Sequence, residues 1–238
     1  MKKLTIISHI YNEEYLLPWW IKHHKDIADN IVFIDYHSTD RSVEIMRDMC
    51  PNCTIIKSRN EKFDAELCDQ EVMSVEEKYQ GFKLALNVTE FFIPKDDINH
   101  IFDQTEQRVY RINRALMVDE NENDIVLHSE NLVERKRFGF IGSDPLHTPF
   151  RYAHNYQRGN YTLGRHDCHL PNHQDINSLI FVYTWAPWTE EFIKRKLQIK
   201  DNIPDADKAS GRGYHHFWTY ENMLGIKEHF LSKSQYIQ

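Results

Sequence analysis

Three short apolar runs, each followed by an amphipathic stretch, constrain the fold of this chain more than any other feature. "LTIISHI" (4–10), "NIVFIDY" (30–36) and "TIIKS" (54–58) are β-branched and almost continuously apolar. Runs of that kind are covered on both faces, the situation of strands in a parallel sheet. Between them, "NEEYLLPWWIKHHKDI" sets Leu16, Trp19, Trp20 and His23 at helical spacing. "HSTDRSVEIMRDMC" opens on Ser38, Thr39 and Asp40, residues that favour a helix N-cap, and "DAELCDQEVMSVEEKYQ" reads as a third helix before a fourth strand, "FKLALNV". Alternation with short connections implies right-handed crossovers. The expected class is α/β, with a mostly parallel central sheet flanked by helices. The second half is less regular and reads as an irregular C-terminal elaboration. "QRVYRINRALMV" and "NDIVLHS" are strand-like, "TEEFIKRKLQI" and "TYENMLGIKEHFL" helical, and "PFRYAHNYQRGNYTLGRH" is rich in aromatics and turns. With no repeat or linker to split it, 1–238 is expected to form one domain.

Composition narrows the partners. The 29 Lys and Arg against 36 Asp and Glu give a net charge of -7, which argues against a nucleic-acid binder, since phosphate neutralisation needs a basic footprint. No apolar run reaches the ~18 residues of a membrane span, so no transmembrane segment is expected. The run in "MKKLTIISHIYNEE" is too short and too soon acidic for a signal peptide. Four cysteines in a chain this long do not make a disulfide scaffold. A reducing, cytoplasmic location is expected, with peripheral attachment to a membrane left open. "CPNC" (Cys50, Cys53) reads as structural.

Ligands of open parallel sheets bind outside the carboxyl ends of the strands. That rule selects His9, Tyr11, Asn12 and Glu13 after the first strand, Asp35 to Asp40 after the second, and Asn87, Thr89 and Glu90 after the fourth. Asp35 ends an apolar strand, placed either to accept from a base N–H or ribose hydroxyl or simply to cap the next turn. Neither G-x-G-x-x-G nor the P-loop pattern occurs, which disfavours a dinucleotide dehydrogenase or a P-loop enzyme.

"ISHIYNEEYLLPWWIKHH" followed by "IVFIDYHSTDRSVEI" resembles the opening of family-two-type glycosyltransferases of the GT-A (nucleotide-diphospho-sugar transferase) fold, in which a Y-N-E-E-like turn precedes D-x-x-S-T-D. The pattern is similar to a subgroup found in bacterial polysaccharide clusters and large algal viruses. "YTWAPWTEEFIKRKLQIKDNIPDADKASGRGYHHF" resembles that subgroup's C-terminal segment. The resemblance implies a nucleotide-binding half over 1–100 and an acceptor-side half with the C-terminal helices over 101–238. It implies a nucleotide-diphosphate sugar donor such as a UDP-sugar, and a glycan, lipid-linked or protein-linked sugar acceptor. Transfer of a hexosyl or deoxyhexosyl group, with inversion, is the implied reaction. His9, Tyr11, Asn12 and Glu13 would line the nucleotide pocket, Asp35 would meet the base, and Ser38 and Asp40 would cap the helix that closes the pocket.

One departure stands out. Where the family carries D-x-D-E-F, this chain has "NVTEFF", with Asn87 and Thr89 in place of the two aspartates. Mn2+ and Mg2+ want hard, charged oxygen ligands, which an amide and a hydroxyl do not supply. Three expectations follow. Glu90, helped by His166, holds the cation. Arg151, Arg195 or Lys196 hold the diphosphate with no metal. Or the chain is a catalytically degenerate nucleotide-sugar or glycan-binding module. Asp96 and Asp97 read as a turn. His166, Cys168, His169 and His173 fit a diphosphate site better than plain packing and much better than zinc. For the general base the candidates are Asp144, in a Gly- and Pro-bounded loop, then Asp167, then Asp175. His215 and His216 are expected to close over the site or to form a packed corner, and Trp19 and Trp20 to lie in the core.

Overall fold

A computed structural model of the chain describes residues 4–102, 106–209, 211 and 217–238. Its first half is the expected alternation. Strands β1 (Leu4–Ile10), β2 (Asn30–Asp35), β3 (Thr54–Lys57) and β4 (Phe82–Ala85) lie parallel in the order β4-β1-β2-β3. Helices α1 (Leu17–His24), α2 (Ser42–Met49) and α3 (Ala65–Glu76) connect them. Both faces are covered: Ile6 and Phe33 pack with Trp20 and Met46, whereas Ile7 and Val32 pack with Val72 and Val75 of α3. Consecutive strand residues therefore serve two different cores, which is why these strands carry no polar alternation.

The fourth apolar run does not continue as one strand. Asn87 and Glu90 close a turn (Glu90 N–H to Asn87 O, 2.9 Å), and Glu90–Ile93 begins a separate strand, β5. α4 (Ile98–Ile101) follows, capped by Asp97, whose side chain accepts from the Asn99 N–H; Asp96 lies in the bend before it. The rest of the sheet is mixed. β6 (Val109–Val118) lies antiparallel to β7 (Phe138–Ile141) and β8 (Phe150–His154), and β8 joins antiparallel to β4. The 13-residue β9 (His173–Trp185) pairs parallel to β6 and antiparallel to β5. α5 (Leu132–Arg135), α6 (Glu190–Leu197), α7 (Asp205–Ala209), α8 (Tyr220–Leu231) and β10 (Gln235–Tyr236) complete the order. "NDIVLHS" is turns and coil: Trp19 Nε1–H donates to the Leu127 carbonyl, and Ile125 and Leu127 remain exposed. β8 and β9 arise from stretches with no clean alternation.

The "PWWIKHH" motif of α1 is a buttress for β5. Trp20 is fully buried, and its Nε1–H donates to the Glu90 carbonyl at 2.9 Å. His24 accepts the Phe92 N–H at Nε2 and turns Nδ1 to the Trp20 carbonyl, while His23 meets the Phe92 carbonyl at 2.8 Å. Burial keeps both imidazoles below their usual proton affinity. A Trp–His row one turn apart thus fixes the strand that carries Glu90. Cys50 and Cys53 are free thiols at the end of α2. No helix among the described residues is long and apolar enough to cross a membrane.

Candidate functional site

A cleft of about 800 Å³ opens where the parallel strands end. His9 and Asn87, at the ends of β1 and β4, line one side; Arg114 and Arg151, on β6 and β8, line the other. Arg165 and His166 come in on a hairpin tip, and Lys196 and Trp185 close the outer end.

The first wall is built from two knitted turns. The Asn12 N–H donates to Ser38 Oγ, Asn12 Oδ1 accepts from the Thr39 and Asp40 N–H groups, and Asp40 accepts from Glu14 and Ser42. Asp35 Oδ1 accepts from the Ser38 N–H at 3.1 Å, so it caps the turn. Asn12 and His37 hold φ of 50° and 61°, the left-handed region that costs energy and recurs at functional sites. Glu13 does not line the cleft: both of its oxygens are taken by Arg195, and Gln198 donates to the Asn12 carbonyl. Arg195 is therefore a brace between the turn and α6, a correction to its expected place on the diphosphate. Only His9 of this group lines the cleft, with Phe63 at 5.3 Å between ring centres. Phe63 also packs on Tyr11 and Tyr36, making an aromatic side that the sequence did not suggest.

The second wall is charged and buried. Glu90 is 0% exposed, and its Oε1 lies 2.8 Å from Arg114 Nη2 and 3.0 Å from Arg151 Nη2. Its Oε2 accepts from Arg151 Nε at 3.1 Å and from the Asn87 N–H at 2.9 Å. Burial alone would raise its pKa; Arg151, then Arg114, outweigh that and hold it down to about 2. Arg165 donates to Asn87 Oδ1 at 2.9 Å, approaches His9 Nδ1 at 3.3 Å, and pairs with Asp69 of α3. The hairpin tip that carries it is tight: Gly164 has φ +75°, and a Cβ there would sit 2.7 Å from the His166 ring. Arg165 follows at φ +57°, a left-handed conformation held by its own ion pair and by the Gly164 N–H on Asp69 at 2.6 Å. Arg151 Nη1 donates to the Gly164 and Arg165 carbonyls, which locks the tip against β8.

A divalent cation does not fit this donor set. Glu90, the expected carboxylate ligand, turns both oxygens to guanidinium groups, Oε2 through a hydrogen bond and Oε1 through ion-pair contacts without hydrogen-bond alignment, and Asn87 Oδ1 is occupied by Arg165. His166 faces Arg151 Nη1 at 3.3 Å rather than a carboxylate; its partial enclosure, then Arg151 and Arg114, lower its proton affinity to about 3. Among the described residues no three His, Cys, Asp or Glu side chains converge as a metal site, which also removes a zinc reading of His166, Cys168, His169 and His173. Cys168 is buried and its thiol points to the Gly159 carbonyl.

The aspartates expected to serve as base are engaged elsewhere. Asp144 lines the cleft, but its Oδ2 pairs with Lys233 (2.8 Å) and His229 (3.0 Å), and its Oδ1 accepts the Leu146 N–H. Against its desolvation, Lys233, that N–H and His229 hold it well below the carboxylate range, which makes it a weak proton acceptor. Asp167 is exposed, accepts from Tyr152 and from the Cys168 N–H, and stays outside the cleft; Asp175 pairs with the exposed Arg111. His147, three residues past Asp144, was not anticipated. It is buried in the cleft wall, and its Nε2 has no partner among the described residues. Burial, then Arg114, lower it to about 4, so it is a neutral imidazole at pH 7. Lys196 lies 4.4 Å from the Trp185 ring centre and 5.4 Å from that of Trp218, which stacks on Trp185. Its enclosure there, then Arg195, lower it to about 7. His215 and His216 lie outside the described residues.

No protein family and no curated protein matches the sequence. Among solved structures, S. aureus TarS 1-349 in complex with UDP shares 19% identity over 51% of this chain and 37% of its own, with a TM-score of 0.40. Glucosyl-3-phosphoglycerate synthase from Mycobacterium tuberculosis, in complex with Mn2+, UDP and glucosyl-3-phosphoglycerate, shares 8% identity over 48% of this chain and 44% of its own, with a TM-score of 0.34. The chain thus spans less than half the length of each.

Proposed function

We propose that this chain transfers a sugar from a nucleoside-diphosphate sugar to a hydroxyl acceptor, with inversion. One observation carries the reading: three buried guanidinium groups, Arg114, Arg151 and Arg165, converge on a cleft at the carboxyl ends of parallel strands. Guanidinium groups match phosphate oxygens in geometry and charge. The aromatic side of His9 and Phe63 is suited to a base or ribose beside them. The Y-N-E-E and D-x-x-S-T-D turns support the same reading by resemblance.

In this scheme the acceptor oxygen attacks the anomeric carbon, the bond from that carbon to the phosphate oxygen breaks, and the nucleoside diphosphate leaves with the electron pair. The arginines stabilise the charge that develops on it. The acceptor proton goes to His147, a neutral imidazole in the cleft wall. Trp218, partly exposed in the cleft and stacked on the buried Trp185, offers an apolar face to an acceptor sugar. The capture of Asp144 by Lys233 and His229 favours a second reading, a nucleotide-sugar-binding module without turnover.

The test is a panel of nucleotide sugars and nucleoside diphosphates, with binding followed by calorimetry and turnover by release of free nucleoside diphosphate. The expected result is submillimolar binding of at least one nucleotide and turnover of its sugar derivative. Binding with no hydrolysis or transfer across the panel would leave the module reading, and no binding would remove both.

A further inference from the structure

We infer that Arg114, Arg151 and Arg165 hold the donor's diphosphate directly, in place of a divalent cation, and that Glu90 is the counter-ion that fixes two of them. This rests on the proposed donor class and adds how the donor is held.

The charges decide the matter. The cluster contains three guanidinium groups against two carboxylates, Glu90 and Asp69, so it is positive before any ligand enters. A cation such as Mn2+ or Mg2+ needs hard oxygens from carboxylates, and here the nearest carboxylate is spent on arginine. Adding a dication beside three guanidinium groups in a dry wall would be repulsive; adding a diphosphate neutralises them.

Donor capacity is also left over. Arginine carries five N–H donors. Arg114 uses Nη1 on the Thr148 carbonyl at 2.6 Å and Nη2 on Glu90. Arg165 uses Nη1 on Asp69 and Nη2 on Asn87 and His9. Each terminal nitrogen carries two N–H groups, so Arg114 Nη1 and Nη2 and Arg165 Nη1 each keep one beyond these contacts, on side chains that line the cleft. Asn87 follows from this. An aspartate at 87 would add a second charge beside Glu90 and draw Arg165 into a closed ion pair, whereas the amide oxygen orients Arg165 and leaves its charge available.

The experiment is calorimetric titration of the full chain with inorganic pyrophosphate and with nucleoside diphosphates, in EDTA and in millimolar Mn2+. The expected result is binding in EDTA with a Kd within about threefold of that in Mn2+. A requirement for Mn2+, or more than a tenfold gain from it, would overturn the inference while leaving the glycosyltransferase reading intact. Pyrophosphate bound in EDTA with no added affinity for any nucleoside would keep the arginine clamp and sink the donor class. Because Arg114→Gln leaves Glu90 half-paired, the charge-balanced double variant Glu90→Gln/Arg114→Gln is made beside it. Both are expected to lose at least tenfold in pyrophosphate affinity. A double variant that melts as the parent does and binds pyrophosphate equally well would also overturn the clamp.

Discussion

The two walls of the cleft are made by opposite means. The wall after β1 and β2 is a lattice of side-chain-to-backbone hydrogen bonds between two turns, in which no carboxylate is set against a cation: Asn12 with Thr39 and Asp40, Ser38 with Asn12, and Asp35 with Ser38. The opposite wall is ionic: Glu90 with Arg114 and Arg151, Asp69 with Arg165. In the first wall each bond has neighbours that share its task and water within reach. In the second, each carboxylate is the only compensation for a charge already out of water. Redundancy on one side and mutual dependence on the other should give very different costs for losing one group.

The largest break in that contrast is Glu90→Ala. It strands Arg114 and Arg151 in the core, and removing one partner of a buried pair costs about 3–5 kcal/mol. Urea unfolding at pH 7 reads it directly; a loss under about 1 kcal/mol would mean that the ionic wall is as tolerant as the hydrogen-bonded one. Lowering the pH protonates the same group without mutation. Glu90 has an ordinary value of 4.5 and is held down to about 2, so the unfolded chain takes up its proton first. Its contribution, about 3 kcal/mol at 1.36 kcal/mol per unit, is complete above pH 4.5 and fades as pH falls through 2. His9 (about 3) and His147 (about 4) are neutral in the fold and ordinary at 6.5 when unfolded. They remove stability in the same direction, beginning near pH 6.5. Urea midpoints taken from pH 7 to 2.5 should therefore decline throughout, and Glu90→Gln should flatten the part below 4.5 while keeping the part above it.

Asp69→Asn comes next. It retains an acceptor for the Gly164 N–H but loses the charge facing Arg165, which keeps Asn87 as a partner. The expected cost is about 1.5–3 kcal/mol, the range for a hydrogen bond to a charged group. Pyrophosphate affinity reports whether Arg165 has lost its orientation: a fall of several-fold is expected, and unchanged affinity would place Arg165 outside the anion's reach.

The difference between the walls also explains what the sequence disclosed. The parallel half was readable because its signals are local: apolar strands, N-cap residues and turns within a few residues of each other. The strand-end rule pointed to His9 and Asn87, and Arg151 was expected as a cation able to replace the metal; all three line the cleft. Arg114 and Arg165 were not found, because their partners are distant: Arg114 meets Glu90 from β6, and Arg165 reaches Asp69 across 96 positions. One local signal did exist. Arg114 interrupts the buried face of β6 between Ile112 and Leu116, and a charge on an inward strand position requires a partner or a ligand. Glu90 was read as a cation ligand and meets arginines instead, because a lone carboxylate after a strand looks the same whether a metal or an arginine waits for it. β9 escaped because it opens with His173, Gln174 and Asp175, polar residues that remain exposed while the later half is buried.

The smallest effect tests the hydrogen-bonded wall itself. Ser38→Ala removes the Oγ that accepts the Asn12 N–H at 3.1 Å, yet leaves the Ser38 N–H on Asp35 and the Asn12 side chain on Thr39 and Asp40. The Asn12 N–H is only partly buried, so water can take the place of the lost oxygen. The expected cost is about 0.5–1.5 kcal/mol by urea unfolding, the net worth of one neutral hydrogen bond. The left-handed backbone at Asn12 should survive, because its side chain still bridges to the second turn. A loss above about 3 kcal/mol would show the turns to be as interdependent as the arginine cluster. The positive φ at Asn12 and His37 would then belong to a single cooperative unit, with the two walls differing in charge and no longer in tolerance.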